Sequence, residues 1–269
     1  MTLREAQLMQ LQVMKIIHNI CVQNNLKYFL ICGSCLGAVR HGGFIPWDDD
    51  IDIGMLREDY DKFCKHFNEW FDTNKYFLQN IHTDSNIHFA LSRVCIKGTV
   101  YENKRVEGKD ICENAYIDVF PIDNVPDDVK SRKKHAKALL WLKYIVCSRT
   151  MNFEKFSSKL FFGFLRIISY TRPLKYWQTL REQTFKKYSN TKTTCVSSLA
   201  SKYGYWKQTI NRESYGNPVL HTFEDTEFYV PEKYTEYLTH LFGSRYMELP
   251  PEEKRVKPHP IYIEINEEN

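Results

Sequence analysis

Chemistry concentrates in one stretch of this chain, Trp47-Asp48-Asp49-Asp50-Ile51-Asp52-Ile53-Gly54. In a strand, successive side chains alternate faces. Read as a strand over Asp48 to Ile53, the stretch puts Asp48, Asp50 and Asp52 on one face, turns Asp49 away and sends Ile51 and Ile53 into the core. Three carboxylates on one face repel each other, and burying them uncompensated is costly. A bound divalent cation resolves that repulsion. An all-oxygen ligand set favours Mg²⁺, with Mn²⁺ as the alternative, over zinc. Two structural readings compete. A solvated acidic loop gives no reason for the alternating isoleucines. An EF-hand calcium loop started at Asp48 would have its glycine one place late and Asp59 where a glutamate belongs.

Other residues gather around this stretch. Gly33-Ser34 follows the apolar run Lys27 to Cys32 and precedes a short helix ended by His41-Gly42-Gly43. Glycine lets a phosphate approach the backbone, and helix-start N–H groups bind anions. Asp118 lies inside the apolar segment Ala115 to Phe120, where a lone carboxylate is expensive unless paired or ligated. It is expected to act as general base, as a further metal ligand or as a structural acid bonded to an arginine. Arg40, Arg93 and Arg255 are candidates to neutralise phosphate oxygens through their forked donors. Cys32-Gly33-Ser34-Cys35 is the only Cys-x-x-Cys, and nothing else in the chain completes a zinc site. Cys32 is therefore expected to end a buried strand.

The elements that must position these residues follow from periodicity. Leu8, Leu11, Ile16 and Ile20 mark an amphipathic helix over 3–24, and a second helix is expected over Arg57 to Phe71. Short strands are expected at 76–80, 87–97 and 114–120, the last ended by Pro121. Residues 129–188 read as two or three helices broken near Arg172-Pro173. The tail is loop-rich, punctuated by Pro231, Pro250-Pro251, Pro258 and Pro260.

Charge is unevenly distributed. From Val129 to Lys192 there are 16 Lys/Arg against Glu154 and Glu182, a local balance of +14, whereas the whole chain carries +4. This basic segment is expected to face something anionic, such as a membrane leaflet, although packed helices with solvated lysines would look the same. No nucleic-acid reading motif occurs in it. The N-terminus lacks the pattern of a signal peptide, and no run of about 18 apolar residues is present. Eight scattered cysteines are expected as free thiols, which suits a cytoplasmic protein, peripheral at most on the membrane.

Gly33-Ser34 followed by Asp50-Ile51-Asp52-Ile53, with a third acid on a later strand, resembles the nucleotidyltransferase-fold signature. More closely, Leu36-Gly37-Ala38-Val39-Arg40-His41 and Gly43-Phe44-Ile45-Pro46-Trp47 through Gly54 resemble the LicD family. So do Tyr116 to Pro121, Val230-Pro231 and the tail Tyr246 to Arg255. Cys35 departs from the apolar residue expected there. The resemblance implies an α+β fold, a nucleotidyltransferase-like mixed sheet flanked by helices; the stretch 129–192 carries no motif that matches the family and reads, from its charge and helical pattern, as a basic helical insertion or subdomain. The catalytic core would span 1–128, the insertion 129–192, and a C-terminal part, 193–269, would complete the substrate site.

It further implies transfer of phosphocholine from CDP-choline to a sugar hydroxyl of a teichoic acid or lipopolysaccharide precursor, releasing CMP. Related fukutin-related proteins transfer ribitol phosphate from a CDP donor, and glycerol phosphate is a third option. By this likeness Asp48, Asp50 and Asp52 hold Mg²⁺ and Asp118 acts at the hydroxyl. A quaternary ammonium would rest on aromatic faces, for which Trp47, Tyr116 and Trp206 are candidates. The rival from another class is a calcium-binding interaction module with no nucleotide affinity.

Overall fold

The computed structural model describes residues 2–101, 114–151, 156–255 and 263–265. The chain opens with helix α1 (Leu3–Gln23), begun by a capping box in which the Thr2 hydroxyl accepts from the Glu5 N–H and Glu5 accepts from the Thr2 N–H. Strand β1 (Phe29–Leu30) leads into α2 (Cys32–His41), then β2 (Asp52–Leu56) and α3 (Arg57–Trp70). Strands β3 (Tyr76–Gln79), β4 (Ser92–Ile96), β5 (Thr99–Tyr101) and β6 (Tyr116–Val125) follow. Three helices come next: α4 (Val129–Thr150), α5 (Phe156–Tyr170) and α6 (Leu174–Phe185). The remainder is β7 (Cys195–Ser197), α7 (Tyr205–Gln208), β8 (Thr209–Asn211), β9 (Val219–Phe223), β10 (Thr226–Val230), α8 (Tyr234–Phe242) and β11 (Ile263–Ile265).

The architecture is α+β, as expected. A mixed sheet runs β1-β2-β6-β4-β3, and the far end of β6 carries β7 and β8. Among the described residues only β2 and β6 pair in parallel; their register sets Asp52 beside Asp118 and Gly54 beside Phe120. On its other edge β6 runs antiparallel to β4, which sets Arg93 beside Asp118. Three chemically active residues thus fall side by side across three neighbouring strands. Ile51, Ile53, Val94, Ile117 and Val119 are buried, joined by Phe63 and Phe67 of α3 and by Met14 and Ile17 of α1. The buried Arg57 guanidinium makes two 2.7 Å bonds to the fully buried Asp123 carboxylate, tying the start of α3 to β6.

Several expected boundaries shift, each for a local reason. Residues 48–51 are a loop, and β2 begins only at Asp52. The partner strands start there: β1 meets β2 at Ile53 and Gly54, and β6 joins at Asp52. Earlier carbonyls are taken by α1 instead, since the buried Gln7 and Gln10 side chains donate to Asp48 O at 2.8 Å and Asp49 O at 2.7 Å. Strand β6 runs through Pro121 to Val125. On that edge β4 pairs only as far as Val119 and β7 begins at Asp123, so no partner strand needs the N–H that Pro121 lacks.

Helix α2 starts at Cys32, not after it. Cys32 has φ 51°, in the left-handed region, and its N–H is held by the Tyr237 hydroxyl at 3.1 Å. Among the described residues Cys21, Cys32, Cys35, Cys64, Cys147 and Cys195 are free thiols; Cys112, like Pro258 and Pro260, lies outside them. No helix among the described residues is long and apolar enough to cross a membrane.

Candidate active site

The β1–α2 turn, the 46–51 loop, the ends of β2 and β6, and the segment before α7 surround a cavity of about 170 Å³. Asp50, Asp52 and Asp118 line it with Cys32, Leu91, Phe120 and residues 200–203. The carboxylates of Asp48, Asp49 and Asp50 each place an oxygen within 4.8 Å of the others. The expected turning away of Asp49 is therefore corrected. Strand alternation does not govern a loop, and the loop lets three consecutive acids converge.

Crowding is visible in the protonation behaviour. Burial, then repulsion from Asp49, pushes Asp48 up to about 6. Burial and the neighbouring carboxylates hold Asp50 and Asp52 well above the ordinary range. Burial also raises Asp118, against the opposing pull of Arg93. A cluster of oxygen ligands whose negative charges are this poorly tolerated has the donor set and the charge that a hard divalent cation would satisfy.

Arg93 is committed to Asp118. Its Nε donates to Oδ1 at 2.9 Å, and the guanidinium carbon lies over the rings of Phe89, at 4.2 Å, and Tyr116, at 3.8 Å. Among the described residues Asp118 Oδ2 accepts no hydrogen bond, which leaves one oxygen for chemistry. The structural-acid and functional readings of Asp118 are thus compatible.

Gly33 and Ser34 sit inside the first turn of α2. A Cβ on Gly33 would come 2.6 Å from Asp48 Oδ2, so glycine makes room for that carboxylate. Ser34 neither caps the helix nor is open to a ligand. It is buried, and its Oγ accepts the Asp52 N–H at 2.8 Å, pinning the start of β2. Arg40 donates to the carbonyls of Tyr246 (2.9 Å) and Glu248 (3.3 Å). Arg255 donates to Pro250 O at 3.0 Å and lies over the Trp47 ring at 5.4 Å, and His41 meets the same indole in an edge-on contact. Arg40, Trp47 and Arg255 thus fasten the tail beside α2 and the acidic loop. Tyr116 already carries Arg93 on its ring, and Trp206 is exposed and does not line the cavity.

Lys202 is the residue that sequence patterning missed. It lines the cavity, and although burial works against its charge, Asp50, Tyr203, Asp52 and Asp48 raise its pKa above the ordinary value. No ion pair within 4 Å engages it among the described residues. Its nearest chemistry in sequence, Ser201-Lys202-Tyr203, has no motif to announce it. Gln7 and Gln10 were also missed, but they left a signal: two amides three residues apart on the otherwise apolar face of α1.

Comparisons with known proteins bear on the family of the chain. Residues 25–157 match the family described as LicD/FKTN/FKRP, nucleotidyltransferase domain. The lipopolysaccharide cholinephosphotransferase LicD of Haemophilus influenzae is 31% identical over 267 residues, covering 97% of this chain and 97% of that one. A Rickettsia prowazekii protein, RP689, is 54% identical over 48 residues, 18% of each chain. Human ribitol 5-phosphate transferase FKRP is 56% identical over 34 residues, 13% of this chain and 7% of its own. A carboxylate-lined cleft on a mixed sheet defines a transferase of the nucleotidyltransferase type. Within that class, the chain belongs to the LicD family.

Proposed function

We propose that this enzyme transfers phosphocholine from CDP-choline to a sugar hydroxyl of a cell-surface glycan precursor, releasing CMP. The observation that carries the reading is the end-to-end likeness to a cholinephosphotransferase, together with the carboxylates and Lys202 that converge on one cleft. Asp48, Asp50 and Asp52 would hold Mg²⁺, or Mn²⁺, with Asp49 near enough to share the load. When bound, the ion would neutralise the donor's pyrophosphate and the charge that develops on the leaving CMP.

The chain's own residues supply the rest. Lys202, which lines the same cleft as the acids, offers an ammonium to the phosphoryl oxygens. Asp118 takes the proton of the attacking hydroxyl on Oδ2 while Arg93 keeps Oδ1 aimed and the carboxylate ionised. Leu91 and Phe120 give the cleft an apolar wall, which strengthens these charges by keeping water out. The sugar acceptor is proposed to be lipid-linked, from a lipopolysaccharide or teichoic acid precursor.

A second donor follows from the shorter likeness to FKRP, whose name is that of a ribitol 5-phosphate transferase. CMP release from CDP-choline, CDP-ribitol and CDP-glycerol with Mg²⁺ present separates these readings. CDP-choline is expected to be turned over fastest. The Asp50→Asn variant should lose at least about 10³-fold in kcat while melting as the parent does. An active Asp50→Asn enzyme, or a chain that binds Ca²⁺ but no CDP donor, would overturn the assignment.

A further inference from the structure

The layer formed by α4, α5 and α6 carries an apolar face that no other element covers among the described residues. Leu160, Phe164 and Ile167 of α5 are spaced four and three apart, so they share one side of the helix. They are 64%, 63% and 70% exposed. The opposite side of α5 is packed: Leu165 and Ser169 are buried, Arg166 donates to Ser148 O at 2.8 Å, and Trp177 donates to Ser169 O at 2.9 Å. The helix is therefore held by its inner side with its apolar side outward. Trp141 of α4, also exposed, extends the face across Phe161, with ring centroids 6.4 Å apart.

Beside this face runs a row of cations. Lys130, Lys133, Lys134 and Lys137 are exposed along the first half of α4, Lys143 follows, and Lys159 flanks the apolar stripe on α5. None of the six makes an ion pair among the described residues. Helix α4 contains no acid, and Glu182 of α6 is already engaged by His82 and Lys186. These six lysines therefore carry their charge outward.

We infer that this face docks on an anionic lipid surface, with α5 lying in the plane of the interface. An apolar stripe bordered by lysines matches acyl chains beneath anionic headgroups. Its 15 residues span roughly 22 Å, too short to cross a hydrocarbon layer of about 30 Å. A second copy of this chain is a poorer occupant, because a two-fold pairing would set two lysine rows against each other. The docked layer is joined to the cleft. Gln178 and Arg181 of α6 donate to Ile87 O and His88 O, both at 2.8 Å, and the same loop carries Phe89, which stacks on Arg93.

The purpose of docking, access to a membrane-borne acceptor, rests on the phosphotransfer reading; the binding itself does not. Vesicle flotation without substrate tests it. The chain is expected to float with vesicles containing phosphatidylglycerol, to float poorly with phosphatidylcholine alone, and to be released by high salt. Phe164→Ser with Ile167→Ser should weaken flotation by roughly tenfold or more. Lys133→Glu with Lys137→Glu should do the same by a separate route, and both variants should keep CMP release with a soluble acceptor. Failure of the parent to float, or flotation unchanged in both variants, would refute the inference. A sedimentation-detected dimer that Phe164→Ser/Ile167→Ser dissolves would also refute it, by assigning the face to a second copy. Vesicle binding by a chain inactive on every CDP donor would leave docking standing and remove only the phosphotransfer reading.

Discussion

Gly33 shows how tightly individual residues are fitted around the acids. A methyl group at that position would meet Asp48 Oδ2 at 2.6 Å, so the carboxylate must swing away. Gly33→Ala is expected to cost about 10²-fold in kcat/KM with little change in melting temperature, since a displacement of about 1 Å suffices for such a loss. Steady-state rates and a thermal melt on the same sample check both halves. Lys202 gives a second test. Lys202→Met should lower kcat/KM by about 10²–10³-fold, as loss of a charge-stabilising donor does. The same change should tighten metal binding, because a cation leaves the neighbourhood of Asp48, Asp50 and Asp52. Looser metal binding in Lys202→Met would count against its placement among the acids.

At the scale of elements, the sheet register creates the site and a buried ion pair secures it. Asp52, Asp118 and Arg93 are neighbours only because β2 pairs parallel and β4 antiparallel with β6. The Arg57–Asp123 pair anchors α3 to β6 farther along the same strand. Arg57→Met leaves the Asp123 carboxylate buried and unpaired, which should cost about 3–5 kcal/mol in a denaturant titration. Much of this level was legible in the sequence. Helix α1, the Gly42 stop of α2 and the burial of Ile51 and Ile53 stand as expected, but of the residues taken to mark the inner face of α1 only Leu11 and Ile20 are buried, Ile16 is half-buried and Leu8 is exposed. The acidic loop was not legible as a loop, because Asp-Ile-Asp-Ile alternates like a strand. What opens it is the reach of Gln7 and Gln10 from a helix some forty residues away.

The whole molecule has a pH signature set by its buried and half-buried histidines. Burial holds His18, His41, His88 and His135 below their ordinary value, His88 furthest, at about 4. Folded His88 stays neutral while the unfolded chain takes up a proton below 6.5, so its effect is absent at higher pH and becomes destabilising as pH falls from 6.5 toward 4. At about pH 5 that amounts to about 2 kcal/mol. The raised carboxylates of the cleft act in the opposite direction, since protonation relieves their repulsion. A comparison of His88→Gln with the parent isolates the histidine. The variant should gain stability relative to the parent near pH 5 and show no such gain near pH 8. An equal difference at both pH values would show that His88 titrates normally.

Residue types and local spacing were enough to determine the acidic stretch, the lone Asp118 and the basic segment, because each is a departure from ordinary composition along a few consecutive positions. Family likeness extended that to a LicD-type transferase. Only the tertiary structure decided that Asp49 joins the cluster, that Ser34 pins a strand and that Arg93 holds Asp118. The same is true of Lys202, which faces the acids from 150 residues downstream of Asp52. Hydrogen-bond partners and charge neighbours of this kind are set by chain reversal and strand register, which bring together groups that no window along the sequence contains.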